Sequence, residues 1–509
     1  LHHEPEEFAV TSTRIPGVPV VEADELISTN PVTGDEVARL PVASPDQVRA
    51  GVANAKVAAV WWAGLGFATR RKKLLAWNAL LARRMRELAD VMRQETGKPS
   101  GDALLEVANA VEHLSWAARN AHRVLRLRRV RGSLLTPEYG GLLEYQPYGV
   151  VAVIGPWNYP VFTPMGSIAY ALAAGNAVVF KPSEYSPAVG KWLVDSFAEV
   201  VTEAPVFQAV YGLGDVGAEL TRAGADKISF TGSTATARKV MAVCAETLTP
   251  VVIECGGKDV MIVDDDADLD AAADAAVWGG MANAGQTCVG IERVYAVDAV
   301  YDTLLDKLVK RAEKLQVGAD SDADIGPITM PGQIDVIRRH IADAVGQGGK
   351  AVLGGSDAVR PPYVYPTILT DVPEHCAAVQ EETFGPTLTV TRVADAEEAL
   401  RHANATPYGL GASVFGRRRA VELARRVRSG MAAVNASLAF AVLPTLPFGG
   451  VGDSGFGRIH GDDGLREFAR PKGIARRRMP SLVPLLTFNR TKRAEELVKR
   501  VIRLMHGRG

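Results

Sequence analysis

From about residue 149 the chain alternates short Val/Ile-rich runs with Ala-rich amphipathic stretches, and nothing else in it restricts the fold as much. The runs 149–154, 177–181, 206–211, 226–230 and 250–254 read as buried strands, and the segments between them are long enough for crossover helices. That alternation predicts a parallel, doubly wound sheet. A second series begins near 259, with strand-like runs at 259–263 and 292–297 around a helix over 267–282.

The first third reads as helical. Ser44-Pro45-Asp46-Gln47 combines an N-cap serine, proline at the first helical position and glutamine at the third. Val48, Val52, Ala55 and Ala59 follow at helical spacing. A second helix carries Leu74, Leu81, Met85, Leu88 and Met92 on one face and stops at Gly97-Lys98-Pro99, and a third covers roughly 101–120.

Length and composition set outer limits. A chain of 509 residues has room for two to four domains, and 47% apolar with 23% charged residues excludes general disorder. Four cysteines cannot staple it, which excludes a disulfide scaffold and fits a reduced, cytoplasmic setting. No apolar run approaches the roughly 18 residues needed to span a bilayer. The nine histidines show no HxxxH or HExxH spacing and no CxxC exists, so no metal site is expected. The start Leu1-His2-His3, without methionine, points to a trimmed end.

The net charge of −1 conceals an asymmetry. Residues 1–470 hold 46 Lys/Arg against 56 Asp/Glu, whereas 471–509 hold eleven against two. Within that tail, 491–506 places Leu497, Val501, Leu504 and Met505 on one helical face and most cations elsewhere. A basic amphipathic helix of this kind lies on anionic lipid or packs on a partner subunit.

Three turns carry candidate chemistry. Gly212-Leu213-Gly214-Asp215-Val216-Gly217 is a literal GxGxxG between a strand and a helix, but no acidic residue ends the next strand, so tight turn packing competes with cofactor contact. Phe230-Thr231-Gly232-Ser233-Thr234 offers small residues and free N–H groups at a helix start, suited to phosphate or to a plain N-cap. Asn283-Ala284-Gly285-Gln286-Thr287-Cys288 puts a cysteine after a glycine turn, where its own N–H can face a reacting carbonyl. A lone cysteine is more often inert core, the reading given to Cys244 and Cys376.

The company these turns keep is what matters. Pro156-Trp157-Asn158-Tyr159-Pro160, Lys181-Pro182-Ser183-Glu184, Phe230-Thr231-Gly232-Ser233, Glu254-Cys255-Gly256-Gly257-Lys258, Gly285-Gln286-Thr287-Cys288, Glu381-Glu382-Thr383-Phe384-Gly385-Pro386 and Pro447-Phe448-Gly449-Gly450 follow one another along the chain. This set, spanning about 28 to 470, resembles the NAD(P)-dependent aldehyde dehydrogenase superfamily in order and spacing.

The resemblance implies a definite mechanism. Cys288 would attack the aldehyde carbon to give a thiohemiacetal, whose oxyanion the Asn158 amide and the Cys288 N–H would hold. Hydride loss would leave a thioester, which water activated by Glu254 would hydrolyse. Lys181 and Glu184 would bind the adenosine ribose, Gly214 would sit at the glycine turn, and Gly232 and Ser233 would meet the pyrophosphate. Glu382 would hold the nicotinamide ribose, with Phe384 near the ring and Trp157 lining the cleft. Glu184 beside the 2′-hydroxyl would repel a 2′-phosphate, so the expected cofactor is NAD, with NADP possible.

The implied organisation is an α/β aldehyde dehydrogenase-like fold. It has a Rossmann-type NAD-binding domain over 1–128 and 148–254, a catalytic domain over 255–450, an oligomerisation element from 129–147 and 451–480, and the basic tail 481–509. A homodimer or homotetramer follows, with a small-molecule aldehyde as substrate and no nucleic acid partner. The motif 447–457 looks like the fatty and aromatic aldehyde branch, which favours hydrophobic aldehydes; succinate semialdehyde is the alternative. A CoA-acylating enzyme is disfavoured by Glu254, and a cofactor-free hydrolase by the cofactor motifs. A non-catalytic protein retaining the fold is disfavoured by the intact Cys288, Glu254 and Asn158. Two departures stand out. Cys255 replaces the usual leucine beside the proposed base, raising redox sensitivity or a small apolar substitute, and Ala237 replaces a common glycine.

Overall fold

A computed structural model describes residues 15–132, 135–320, 322–481, 483 and 485–507. The Leu1-His2-His3 start lies outside the described residues.

All the strand runs expected after 149 form, and they sort into two sheets. The first has the order Gly455–Phe456, Val251–Cys255, Lys227–Gly232, Val150–Ile154, Ala177–Lys181 and Phe207–Ala209, all parallel except the edge strand Gly455–Phe456. Chain order reverses between Val150–Ile154 and Lys227–Gly232, the switch point where doubly wound sheets open a crevice beyond the carboxyl ends of their strands. The second sheet has seven strands, with Asp259–Val263 and Ile291–Val297 at its centre and Thr387–Val393 and Ala412–Phe415 beside them. Both central strands are buried along their whole length, as helices on both faces require.

Helices cover the first sheet as the apolar spacing dictates. Pro45–Gly64 opens on the expected capping box, with Ser44 and Gln47 bonding reciprocally. Val48, Val52, Ala55, Ala59 and Trp62 face inward. The helix expected through Leu74 and Met92 is two helices, Gly66–Arg83 and Met85–Thr96, broken where Arg84 leaves helical geometry, and it ends at left-handed Gly97. The third runs longer than expected, over Ser100–Leu125.

The helical reading of the first third omits a small antiparallel sheet of Val20–Glu22, Glu25–Thr29 and Glu36–Pro41. These strands are three to six residues long and two of them are mostly exposed, so they leave little periodic signal.

A further three-stranded sheet projects from the body, with Ala469–Arg477 pairing Tyr139–Pro147 over nine residues and Arg128–Val130 beyond. Of the segment 451–480 only this strand joins the projection; Gly455–Phe456 belongs to the first sheet. The basic tail ends in the helix Lys492–His506, whose Thr491 side chain caps its first turn.

Candidate active site

The two sheets meet over one cleft of about 1000 Å³, at the switch point of the first. Register places its parts. Glu254 and Cys255 pair with Thr231 and Gly232, and Lys181 pairs with Ile154, the last strand residue before Trp157 and Asn158. All the singled-out residues, Asn158, Glu254, Cys288, Trp157, Lys181, Glu184, Gly214, Gly232, Ser233, Glu382 and Phe384, line this cleft.

The turn before Cys288 is left-handed at three successive residues, with φ of 53° at Asn283, 56° at Ala284 and 71° at Gly285. Two of these are not glycine, so the turn must be held. Asp102 accepts the Asn283 N–H at 3.0 Å, and the Asn283 amide donates to the main-chain oxygens of Asn158 (3.1 Å) and Gln286 (3.2 Å). A Cβ at Gly285 would lie 2.1 Å from the Gly385 carbonyl, so only glycine fits there. Burial, then the charge of Glu254, pushes the Cys288 thiol well above its usual range.

Asn158 is buried and donates one amide hydrogen to the Gln286 carbonyl at 2.9 Å, which leaves the second free. Both oxygens of the Glu254 carboxylate are buried and, among the described residues, no hydrogen bond of ordinary geometry reaches them, although the Cys288 thiol and the Thr231 hydroxyl lie close by. Burial raises that acid to about 7, opposed by the Cys288 thiol and the Thr231 hydroxyl. A buried carboxyl titrating near neutrality is what a general base requires.

At the far end of the cleft Lys181 Nζ lies 3.2 Å from Glu184, with Gly217 close to its stem. Gly214 and Gly217 border the cleft from the first turn of a helix, so the GxGxxG turn does reach it. Ser233 caps the helix Thr234–Thr247 by accepting the Thr236 N–H at 3.3 Å, and that helix start still faces the opening. Glu382 accepts the Gly257 N–H at 3.0 Å and rises to about 8 through burial and then the charge of Glu292. Phe384 meets Trp157 edge-on at 5.6 Å between ring centres. Small residues at 214, 217, 232 and 256, a helix start and two carboxyls thus fit an extended dinucleotide.

A second, smaller channel of about 90 Å³ also reaches Cys288. Phe162, Trp278, Val289, Leu438, Val442 and Phe448 are among the apolar residues of its wall. None of its lining residues is Lys or Arg, and two are the acids Asp102 and Glu106. These residues come from four distant stretches of chain and carry no local motif, so the sequence pattern did not reveal them.

The aldehyde dehydrogenase family profile matches residues 20–474, almost the whole chain. The chain belongs to the aldehyde dehydrogenase family. It is an NAD(P)-dependent oxidoreductase of that family. The dehydrogenase is 39% identical over 461 residues to the 4,4'-diapolycopene aldehyde oxidase of a Methylomonas species, covering 89% of this chain and 87% of the relative. It is 35% identical over 453 residues to glutarate-semialdehyde dehydrogenase of Pseudomonas aeruginosa, covering 87% and 92%. Among solved structures, PnpE in complex with nicotinamide adenine dinucleotide superposes with a TM-score of 0.85 at 31% identity, covering 91% of this chain and 96% of that one. The NADP-dependent glyceraldehyde-3-phosphate dehydrogenase of Bacillus halodurans, complexed with NADP, gives 0.85 at 32%, covering 90% and 96%.

The remaining cysteines of the dehydrogenase are buried. Burial and then the neighbouring Glu254 raise the Cys255 thiol to about 12, which keeps it protonated and argues against redox sensitivity beside the base. Ala237 is buried on the helix Thr234–Thr247, as a small packing residue. Among the described residues, the acids Asp264, Asp265 and Asp266 lie close enough together to hold an ion, but Arg418 and Arg419 already pair with them.

Proposed function

We propose that this dehydrogenase oxidises hydrophobic aldehydes to carboxylic acids through a covalent intermediate on Cys288. The observation that carries the reading is that Cys288 alone of the catalytic set lines both the large cleft and the apolar channel. An aldehyde entering through the channel therefore meets the thiol at the cleft floor.

The thiol proton must leave before attack, and the adjacent Glu254 carboxylate is the base within reach. Sulfur then bonds the carbonyl carbon, and the developing oxyanion takes the free Asn158 amide hydrogen and the Cys288 N–H. When bound, the nicotinamide cofactor supplies the hydride acceptor. Glu254 passes the thiol proton to solvent, and the carboxylate so restored orients and deprotonates a water that splits the thioester and frees the acid. Lys181 and Glu184 hold the adenosine ribose, Gly214, Gly232 and Ser233 the pyrophosphate, and Glu382 the nicotinamide ribose. Trp157 and Phe384 confine the ring. The Glu184 carboxylate favours NAD over NADP by repelling a 2′-phosphate.

The channel wall supports the hydrophobic preference. In the same reading 1–128 and 148–254 carry the cofactor, 255–450 the catalytic cysteine, and the projecting sheet pairs subunits in a cytoplasmic dimer or tetramer. Phe488, Leu486 and Leu504 are largely exposed in the basic tail. The tail accordingly rests on anionic lipid, near the source of such aldehydes.

The deciding experiment is NADH formation over a panel of aldehydes with wild type and Cys288→Ala. Wild type should oxidise medium-chain aliphatic aldehydes, and the variant should show no turnover. Activity surviving in Cys288→Ala overturns the mechanism.

A further inference from the structure

Glu292 lies behind the cleft, at the start of the strand Ile291–Val297 that follows Cys288, and it is buried. The cleft lining does not include it. Its oxygens accept the Thr383 N–H at 3.1 and 2.9 Å and the Phe384 N–H at 3.0 Å. Lys258 forms a buried ion pair with it and also donates to the Thr383 hydroxyl at 3.0 Å. The segment so held is the one that presents Glu382 and Phe384.

That segment needs holding. Phe384 sits at φ 52°, a left-handed conformation that a bulky residue adopts only when its surroundings impose it. Two buried N–H groups in succession would otherwise be left without acceptors. Gln333 and His340 add bonds to the Thr383 carbonyl (2.8 Å) and hydroxyl (3.1 Å), but neither reaches the two N–H groups. The turn before Cys288 presses against the same loop, through the close approach of Gly285 and Gly385.

We infer that Glu292 is a positioning residue for the cofactor: it fixes the 382–384 loop against the strand that follows Cys288, and so sets the distance between the nicotinamide half of the cofactor and the thiol. The inference rests on the proposed roles of Glu382 and Phe384. Its charge matters as well as its shape, because a carboxylate accepts several N–H bonds at once and pairs with Lys258. Catalysis by the thiol alone should not require it.

Three measurements on Glu292→Gln separate these roles: the Kd for NAD by calorimetry, NADH formation, and cofactor-independent hydrolysis of p-nitrophenyl acetate by Cys288. Expected are an NAD Kd raised about tenfold, the scale of one charge-assisted hydrogen bond, and a kcat for NADH formation lowered at saturating NAD. Ester hydrolysis should stay within about twofold of wild type. If Glu292→Gln does not fold, Glu292→Asp, which keeps the charge beside Lys258 but cannot span both N–H groups, should show the same split more weakly. An unchanged Kd and kcat, or ester hydrolysis falling in parallel with NADH formation, overturns the inference. A wild type that binds NAD yet oxidises no aldehyde overturns the functional reading instead, and the Kd comparison still stands.

Discussion

Lys98 Nζ lies 2.8 Å from the main-chain oxygen of Asn158 while it also pairs with the Glu106 carboxylate. Both charged side chains are fully buried, and Glu106 accepts the Val161 and Phe162 N–H groups with its other oxygen. The backbone around the proposed oxyanion donor is thus pinned from two sides. Removing one partner leaves the other charge buried alone. Glu106→Ala should lower stability by about 3–5 kcal/mol, read as denaturant unfolding, and cut kcat together with it. A variant as stable and active as wild type would show that the pair is dispensable.

Glu254 loses its proton near pH 7, because burial holds it above the ordinary carboxylate range. A base acts in its deprotonated form, so turnover should climb as pH rises through about 7. The raised thiol of Cys288 should extend the climb into alkaline pH. In Glu254→Gln the step near 7 should vanish from the pH–rate profile, leaving the alkaline rise.

The apolar channel predicts a gain of about 0.8 kcal/mol, roughly fourfold in kcat/KM, for each methylene it buries. Steady-state kinetics from propanal to octanal should show that trend until the chain emerges from the wall. Succinate semialdehyde should be a poor substrate, since no Lys or Arg lines the wall to meet its carboxylate. Val442→Arg, which places a cation in the wall, should improve it relative to hexanal.

Glu184 stands 3.2 Å from Lys181 at the proposed ribose site. A 2′-phosphate there meets a carboxylate, so kcat/KM should favour NAD over NADP by at least about tenfold, one charge repulsion. Glu184→Gln should narrow the ratio, and equal efficiency in wild type would contradict the assignment.

Sedimentation with vesicles tests the tail. Full-length protein should bind phosphatidylcholine–phosphatidylglycerol vesicles at low salt and release them as salt rises, because the cations are exposed and screened. A chain ending at residue 480 should not bind. Equal binding by both forms would assign the tail to another role.

Part of this site was legible because its residues are local: the glycine turn before Cys288 marks it, whereas Glu254 and Asn158 were found through the order of motifs that the family resemblance rests on. Ser44, Gly97 and the apolar periods placed helices for the same reason, since caps and spacing act within a few residues. The channel was not legible. Leu105, Phe162, Trp278 and Phe448 are ordinary apolar residues, indistinguishable from core until packing leaves a gap between them. Glu292 and Lys98 carry no local sign of burial, which follows from partners 8 to 92 residues away in the chain.

The sequence by itself determined the family and the alternation that builds two sheets, because motif order and apolar spacing act over short stretches, and its resemblance supplied the candidate nucleophile, base and cofactor residues. Only the tertiary structure decided how they meet. Strand register set Glu254 beside Thr231, and the left-handed turn at 283–285 turned Cys288 into the cleft. The largely apolar channel and the buried braces at Lys98 and Glu292 arise from long-range packing, where desolvation sets which charges pair and which surfaces remain open to a substrate.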